Sequence, residues 1–301
     1  MRVMATPLSN QVGDNGIFTT EEIKRLNIDY TGWDLPEPKQ CEFCGNTIYH
    51  EVCVFMGRIV SVRNVPQTCS CEKAQAVAKE QEKRQRQEKQ KREHEEKTQK
   101  LLKISGLPNT PRYQKCNFDN YKPYTREQKT ALNIAKSYAK NFDKHILSGT
   151  GLYIEGTNGT GKTHFAVAIA KYIIETFGYK VKCNTLIELC NDIRRTYDSS
   201  DMSEEQIIQS YSRIPLLIID DLGKEKPTEW NQQILYSIIN NRYNLMKPTI
   251  ITTNFNEDML NIRLTPYDSD NTNAAAIISR LRETTQLITM AWKDYRGGYY
   301  G

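Results

Sequence analysis

The chain has 301 residues, 38% hydrophobic and 26% charged, enough for one large domain and a smaller appendage but poorer in core formers than an average soluble domain. That deficit calls for a long solvated segment, and the net charge of +5 permits nucleic-acid binding without arguing for it. No run approaches the roughly 20 apolar residues of a membrane span, and residues 1–18 lack the apolar centre of a secretory leader. The expectation is a cytoplasmic protein with no membrane partner, whose eight cysteines are metal ligands or reduced buried thiols and not a disulfide framework.

Four stretches separate along the chain. Residues 1–39 are polar, with one short helix expected over 20–26, started by Thr19 or Thr20 and two acidic residues. Residues 40–72 hold five of the eight cysteines. Cys41-Glu42-Phe43-Cys44-Gly45 is a knuckle that turns two thiolates toward one metal. Cys69-Ser70-Cys71 supplies a second pair, after a segment at 51–65 suited to a small hairpin. Four thiolates fit a closed, tetrahedral, structural Zn²⁺ site. His50 and Cys53 are alternative ligands, because C-x-C is the less usual spacing, and unrelated reduced thiols are the plain alternative.

Residues 73–103 alternate Glu, Lys, Gln and Arg, which are strong helix formers with i,i+4 charge pairs. No heptad seam can be drawn through them. They read as a solvated helical linker outside any core, or alternatively as an arm for nucleic acid or a partner. Residues 104–301 then alternate strands and amphipathic helices. Strands are expected at 152–154, 179–183, 216–219, 249–252 and 286–290, and helices at 162–177, 186–197, 203–211, 230–245 and 274–283. Buried apolar strands in βαβ order predict an α/β fold, a three-layer arrangement with a parallel sheet between helices.

Gly156-Thr157-Asn158-Gly159-Thr160-Gly161-Lys162-Thr163 matches G-x-x-x-x-G-K-[ST] between a strand and a helix. In such a loop successive main-chain amides point at phosphate oxygens, the helix dipole favours an anion, Lys162 reaches the β- and γ-phosphates, and the Thr163 hydroxyl ligates Mg²⁺. The strand at 216–219 ends in Asp220 and Asp221. Asp220 is the expected Mg²⁺ ligand, directly or through water, and Asp221 the group that polarises an attacking water. One strand later Asn254 is placed to position that water. Among the arginines, Arg280, Arg282 and Arg296 are all candidates to neutralise charge in the transition state, and spacing does not choose between them.

The P-loop together with Ile218-Ile219-Asp220-Asp221-Leu222-Gly223, Asn240-Asn241-Arg242-Tyr243, the run Pro248 to Asn254, Ser279-Arg280-Leu281 and Trp292-Lys293-Asp294-Tyr295-Arg296 resembles the DnaC/DnaI/IstB-like branch of AAA+ ATPases over about residues 105–296. The resemblance implies ATP as the nucleotide and ATP hydrolysis as the reaction. Arg280 would then be a finger acting on a neighbouring subunit's ATP, with Arg296 a second sensor in cis. It implies partners as well: a hexameric replicative helicase of the DnaB type gripped by the N-terminal part, single-stranded DNA, and further copies of the chain. Residues 191–211 become a DNA-proximal element with Arg194 and Arg195 to the fore. The polar insert at 266–273 lengthens the approach to Arg280, and a separate helical lid after the last strand is not expected. The rival within the same branch is an IstB-type transposition ATPase that regulates a transposase on duplex DNA, and a third reading is an ATP-gated adaptor with negligible hydrolysis.

Overall fold

The computed structural model describes residues 15–108, 110–195, 203–267 and 269–294. The chain forms two compact units, Met1–Arg92 and Glu93–Gly301.

In the first unit, β1 (Asn15–Thr19) runs into α1 (Thr20–Arg25), which Thr19 starts with a reciprocal capping box to Glu22. The short strands β2 (Lys39–Gln40) and β3 (Thr47–Ile48) flank the cysteine knuckle, and β4 (His50–Phe55) and β5 (Arg58–Pro66) make the expected hairpin. Its two turn residues, Met56 and Gly57, both have positive φ, the geometry that matches strand twist. β1 adds to the free side of β4, so residues 15–25 share one small core with the hairpin, built on Ile23, Val52, Val54 and Ile59.

The charged stretch is a single helix, α2 (Glu72–Ile104), of 33 residues. The expectation that it stays outside any core needs correcting at its C-terminal end. Leu101 belongs to the main core of the second unit, and His94 donates through Nε2 to the Glu175 carbonyl at 2.9 Å. Leu101 and Leu102 are the adjacent apolar pair near the end of the stretch, and they are what docks it.

The second unit continues with α3 (Pro111–Gln114), α4 (Arg126–Lys140), α5 (Phe142–Ser148), β6 (Gly151–Gly156), α6 (Lys162–Phe177), β7 (Val181–Thr185), α7 (Leu186–Arg194) and α8 (Glu204–Arg213). β8 (Leu216–Leu222), α9 (Glu229–Asn244), β9 (Thr249–Thr253), α10 (Glu257–Leu264), α11 (Thr272–Thr284) and β10 (Thr285–Met290) complete it. The end of the helix expected over 186–197 lies outside the described residues. The five strands are all parallel in the order β10-β6-β9-β8-β7. Strand side chains alternate faces: Leu152, Ile154, Leu216, Ile218 and Ile250 pack with α4 and α6, while Tyr153, Leu217, Ile219 and Ile251 pack with α7 to α11. The sheet is therefore covered on both sides, as the buried strands require. Parallel pairing also brings the C-terminal ends of β6, β8 and β9 to one edge, where ligands of open α/β sheets bind.

Candidate nucleotide and metal sites

The loop from Gly156 to Thr163 leaves β6 at that edge and opens α6. Gly161 caps the helix at φ 103°, where any side chain would strain the backbone and meet the Tyr121 ring at 3.0 Å. Gly159 lies against the Asp294 carboxylate, which takes the space of a Cβ. The Trp292 indole donates to the Thr160 carbonyl at 3.0 Å, so the exit of β10 braces the loop. Lys162 is buried and its ammonium donates to the carbonyls of Gly156 and Thr157, both at 2.8 Å.

Opposite the loop, the Thr163 hydroxyl lies 3.1 Å from both oxygens of Asp220, and the Thr252 hydroxyl donates to Asp220 Oδ1 at 2.5 Å. Burial raises the Asp220 carboxyl above the ordinary aspartate range, against the pull of the Thr252 and Thr163 hydroxyls. A buried carboxylate beside a hydroxyl oxygen is the hard-oxygen pair that Mg²⁺ takes, so the donor set fits. Asp221 is left-handed at φ 52°, and its main-chain N–H donates to Thr252 Oγ1 at 2.9 Å. Asn254 reaches across the edge, its amide donating to Asn158 Oδ1 at 3.1 Å. Parallel pairing thus brings Lys162, Thr163, Asp220, Asp221 and Asn254 together.

A cavity of about 450 Å³ opens between this edge and the segment around α3, lined by Asn158, Gly161–Thr163, Asp221 and Lys224 on one side and by Arg112, Tyr113, Lys115 and Tyr121 on the other. Lys171, two turns down α6, holds that segment by donating to the carbonyls of Tyr113, Gln114 and Cys116 at 2.7–3.1 Å. His164 bonds the Asn117 carbonyl through Nε2 at 2.8 Å, and burial depresses its pKa, which keeps the ring a neutral donor. Burial raises the Tyr113 phenol, and the nearby charge of Asp220 adds to the effect.

Arg280 lies elsewhere. It bonds Asn240 Oδ1 and the Ala276 carbonyl, both at 3.0 Å, and sits over the rings of Tyr236 and Tyr243. The depression it lines, with Ser148, Tyr243 and Glu283, shares no residue with the cavity beside the glycine loop. Arg282 pairs with Glu257 at 2.5 Å, and Arg296 lies outside the described residues.

In the first unit the sulfurs of Cys41, Cys44, Cys69 and Cys71 all lie within 4.8 Å of one another. Cys41 to Cys71 is 3.8 Å and Cys44 to Cys69 is 3.5 Å, too long for disulfides and close to the edge of a tetrahedron with Zn–S bonds of about 2.3 Å. The amide of Phe43, and less strongly that of Cys44, holds the Cys41 thiol down to about 7, the thiolate form a metal needs. His50 is engaged instead with the Arg63 carbonyl at 2.9 Å, and neither it nor Cys53 joins the cluster.

Residues 62–297 match the protein family described as IstB-like ATP binding protein, most of the chain. The chain belongs to that family. Among relatives of this IstB-like protein, the replicative helicase loader DnaC of Escherichia coli (strain K12) is 29% identical over 206 residues, 68% of this chain and 78% of the relative. The loader of the same name from Buchnera aphidicola subsp. Schizaphis graminum (strain Sg) is 27% identical over 252 residues, 83% of this chain and 96% of the relative. The crystal structure of the DnaC helicase loader superposes with a TM-score of 0.51 at 29% identity, covering 60% of this chain and 99% of that one. The DnaI crystal structure, 24% identical with a TM-score of 0.50 over 60% of this chain and 95% of that one, shares the fold. The second unit is thus an AAA+ P-loop fold, and the expected fold class stands.

Three residues of this IstB-like chain that the sequence reading passes over shape the edge. Thr252 joins both aspartates. Arg263 of α10 holds the turn after β8 by donating to the carbonyls of Gly223 and Lys224 at 2.9 and 2.7 Å. Lys171 fixes the far wall of the cavity. Their sequence signal is slight, because each acts through tertiary register and not through a local motif. No helix among the described residues is long and apolar enough to cross a membrane.

Proposed function

We propose that this protein is an ATP-dependent loader of the replicative helicase, acting as DNA replication begins. The observation that carries the reading is the convergence of Lys162, Thr163 and Asp220 around one phosphate-binding loop, in a chain whose curated relatives described above are named as helicase loaders. Those names favour the loader over a transposase regulator.

In this reading the amides from Gly156 to Thr163, with the side chains of Thr157, Asn158 and Thr160 around them, cradle ATP, and Lys162 leaves its carbonyls for the β- and γ-phosphates. Thr163 and Asp220 would hold Mg²⁺, which supplies charge neutralisation of the phosphates when bound. Asp221 accepts the proton of the attacking water and Asn254 orients it. Arg280, remote from its own loop, serves the ATP of a neighbouring copy, and Arg296 contacts nucleotide in cis. Residues 1–39 and 40–72 grip a hexameric helicase of the DnaB type, 73–103 form the helical linker, and 104–301 form the ATPase that binds single-stranded DNA and self-associates with ATP. The cytoplasm is the compartment where such partners meet.

The test is affinity purification of the full chain carrying Lys162→Ala from its native cell. The replicative helicase should be retained, and its absence, with a transposase in its place, would reverse the assignment. Zinc is a second expectation. Purified protein should carry about one equivalent, falling below half in Cys44→Ser, and the cooperative unfolding of the first unit should weaken when the metal is stripped. Metal analysis that finds essentially none in the parent would remove zinc from this account.

A further inference from the structure

We infer that Thr252 is the positioning residue that couples the metal-binding carboxylate to the water-activating one. The inference rests on the magnesium–nucleotide reading above and deepens it. The starting point is the ladder between β8 and β9. Ile219 pairs with Ile251, but the next pair is Leu222 with Thr253, so β8 advances three residues where β9 advances two. That is a β-bulge, the device by which strands re-aim side chains near functional sites. Its members are Asp220 and Asp221.

A bulge deprives the extra residues of ladder partners, and two adjacent threonines of β9 replace them with side chains. The Thr253 hydroxyl donates to the Leu222 carbonyl at 2.7 Å, and the Thr252 hydroxyl takes the Asp221 N–H at 2.9 Å while giving its own proton to Asp220 Oδ1 at 2.5 Å. Both threonines are fully buried. The direction of these bonds is fixed by chemistry: an ionised carboxylate only accepts, a main-chain N–H only donates, and a hydroxyl has one proton and lone pairs to spare.

Two consequences follow from the geometry. The Thr163 hydroxyl is equidistant from the two Asp220 oxygens and does not distinguish them, whereas Thr252 engages Oδ1 alone. Thr252 therefore sets the rotation of the carboxylate and leaves Oδ2 for the metal side. The Thr252 hydroxyl oxygen also anchors the N–H of Asp221, a non-glycine residue in the left-handed region that keeps its backbone only under local constraint. Movement at one aspartate is transmitted to the other through a single atom.

The experiment compares the full-length parent with Thr252→Val, which keeps the shape and deletes the hydroxyl, and Thr252→Ser, which restores it. Binding of a fluorescent ATP analogue is titrated with magnesium and, separately, in chelator, and turnover is measured alongside. Thr252→Val should raise the magnesium needed for half-saturation about tenfold and lower turnover by at least that much, the size expected for a lost hydrogen bond to a charged group. Its metal-free affinity should stay within about twofold, because the loop amides are untouched, and Thr252→Ser should return both quantities to within about threefold of the parent. A valine variant with the parent's magnesium requirement, or a serine variant as impaired as valine, overturns the inference. If the valine variant does not fold, Thr252→Ala is read by the same criteria. A parent with no magnesium-dependent binding overturns the nucleotide reading itself, and the inference with it, before any variant is compared.

Discussion

Exchanging Asp220 for asparagine is expected to abolish magnesium-dependent nucleotide binding while leaving the nucleotide-free protein at least as stable as the parent. The two effects have one cause. Burial lifts the Asp220 carboxyl above the usual aspartate range, so the ionised form is held in the fold at a cost, only partly offset by the Thr252 and Thr163 hydroxyls. For a carboxylate with a raised folded-state pKa, the associated stability is present at low pH and lost as pH rises through that value. At neutral pH asparagine removes the charge and its cost, while its carbonyl still accepts the Thr252 proton. The metal loses its only anionic ligand in this set, a loss on the order of 100-fold or more in magnesium-dependent affinity. On the proposed reading, protons and magnesium compete in the parent for the same oxygens. Magnesium-dependent binding should therefore weaken as pH falls, starting at a higher pH than an ordinary aspartate would dictate. Thermal melts and nucleotide titrations at several pH values check both halves. A variant that melts well below the parent, or still binds with magnesium, contradicts them.

The opposite outcome is expected at Arg242, where substitution should unfold the protein without touching the site directly. Its guanidinium is fully buried and donates to the carbonyls of Tyr211, Ser212, Ile214 and Pro248 and to Thr249 Oγ1 at 2.5–3.3 Å. One side chain thus ties the end of α8, the entry to β8 and the start of β9. Burial pushes its pKa down to about 9, still high enough to keep it charged at neutral pH. Arg242→Ala removes all five of these bonds from a fully buried position and should cost about 3–5 kcal/mol. That corresponds to a melting point lower by about 10 °C or more in a unit of this size. Lysine should rescue little, because one ammonium cannot span the fork. A denaturant midpoint unchanged by Arg242→Ala would refute the role.

The sequence makes the edge of the sheet legible for a definite reason. A loop that must cradle an anion needs glycines at fixed spacing, and a strand such as Leu216–Ile219 that is buried on both faces has no polar residue until it reaches the ligand. Those constraints are local and appear as motifs. The four cysteines that the fold brings together are legible as two closely spaced pairs, the local pattern of a tetrahedral thiolate site. Arg242 shows the contrary case: it stands out in Asn240-Asn241-Arg242-Tyr243, yet nothing along the chain says that it points inward at carbonyls from three other segments. Helix α4 was within reach of the sequence. Thr125 and Gln128 form its capping box, and Ala131, Leu132, Ala135, Tyr138 and Ala139 repeat at helical spacing. β1 was not, because a five-residue strand acquires its meaning only from β4, more than thirty residues away.

Lys162 rests on two carbonyls of its own loop. On the proposed reading, whatever recruits that ammonium must replace a pair of charge-assisted bonds already made. On that reading a tripolyphosphate, engaging the amides and the helix end together, would be favoured over a smaller anion that meets only part of the loop, so the self-solvated lysine would act as a threshold for entry.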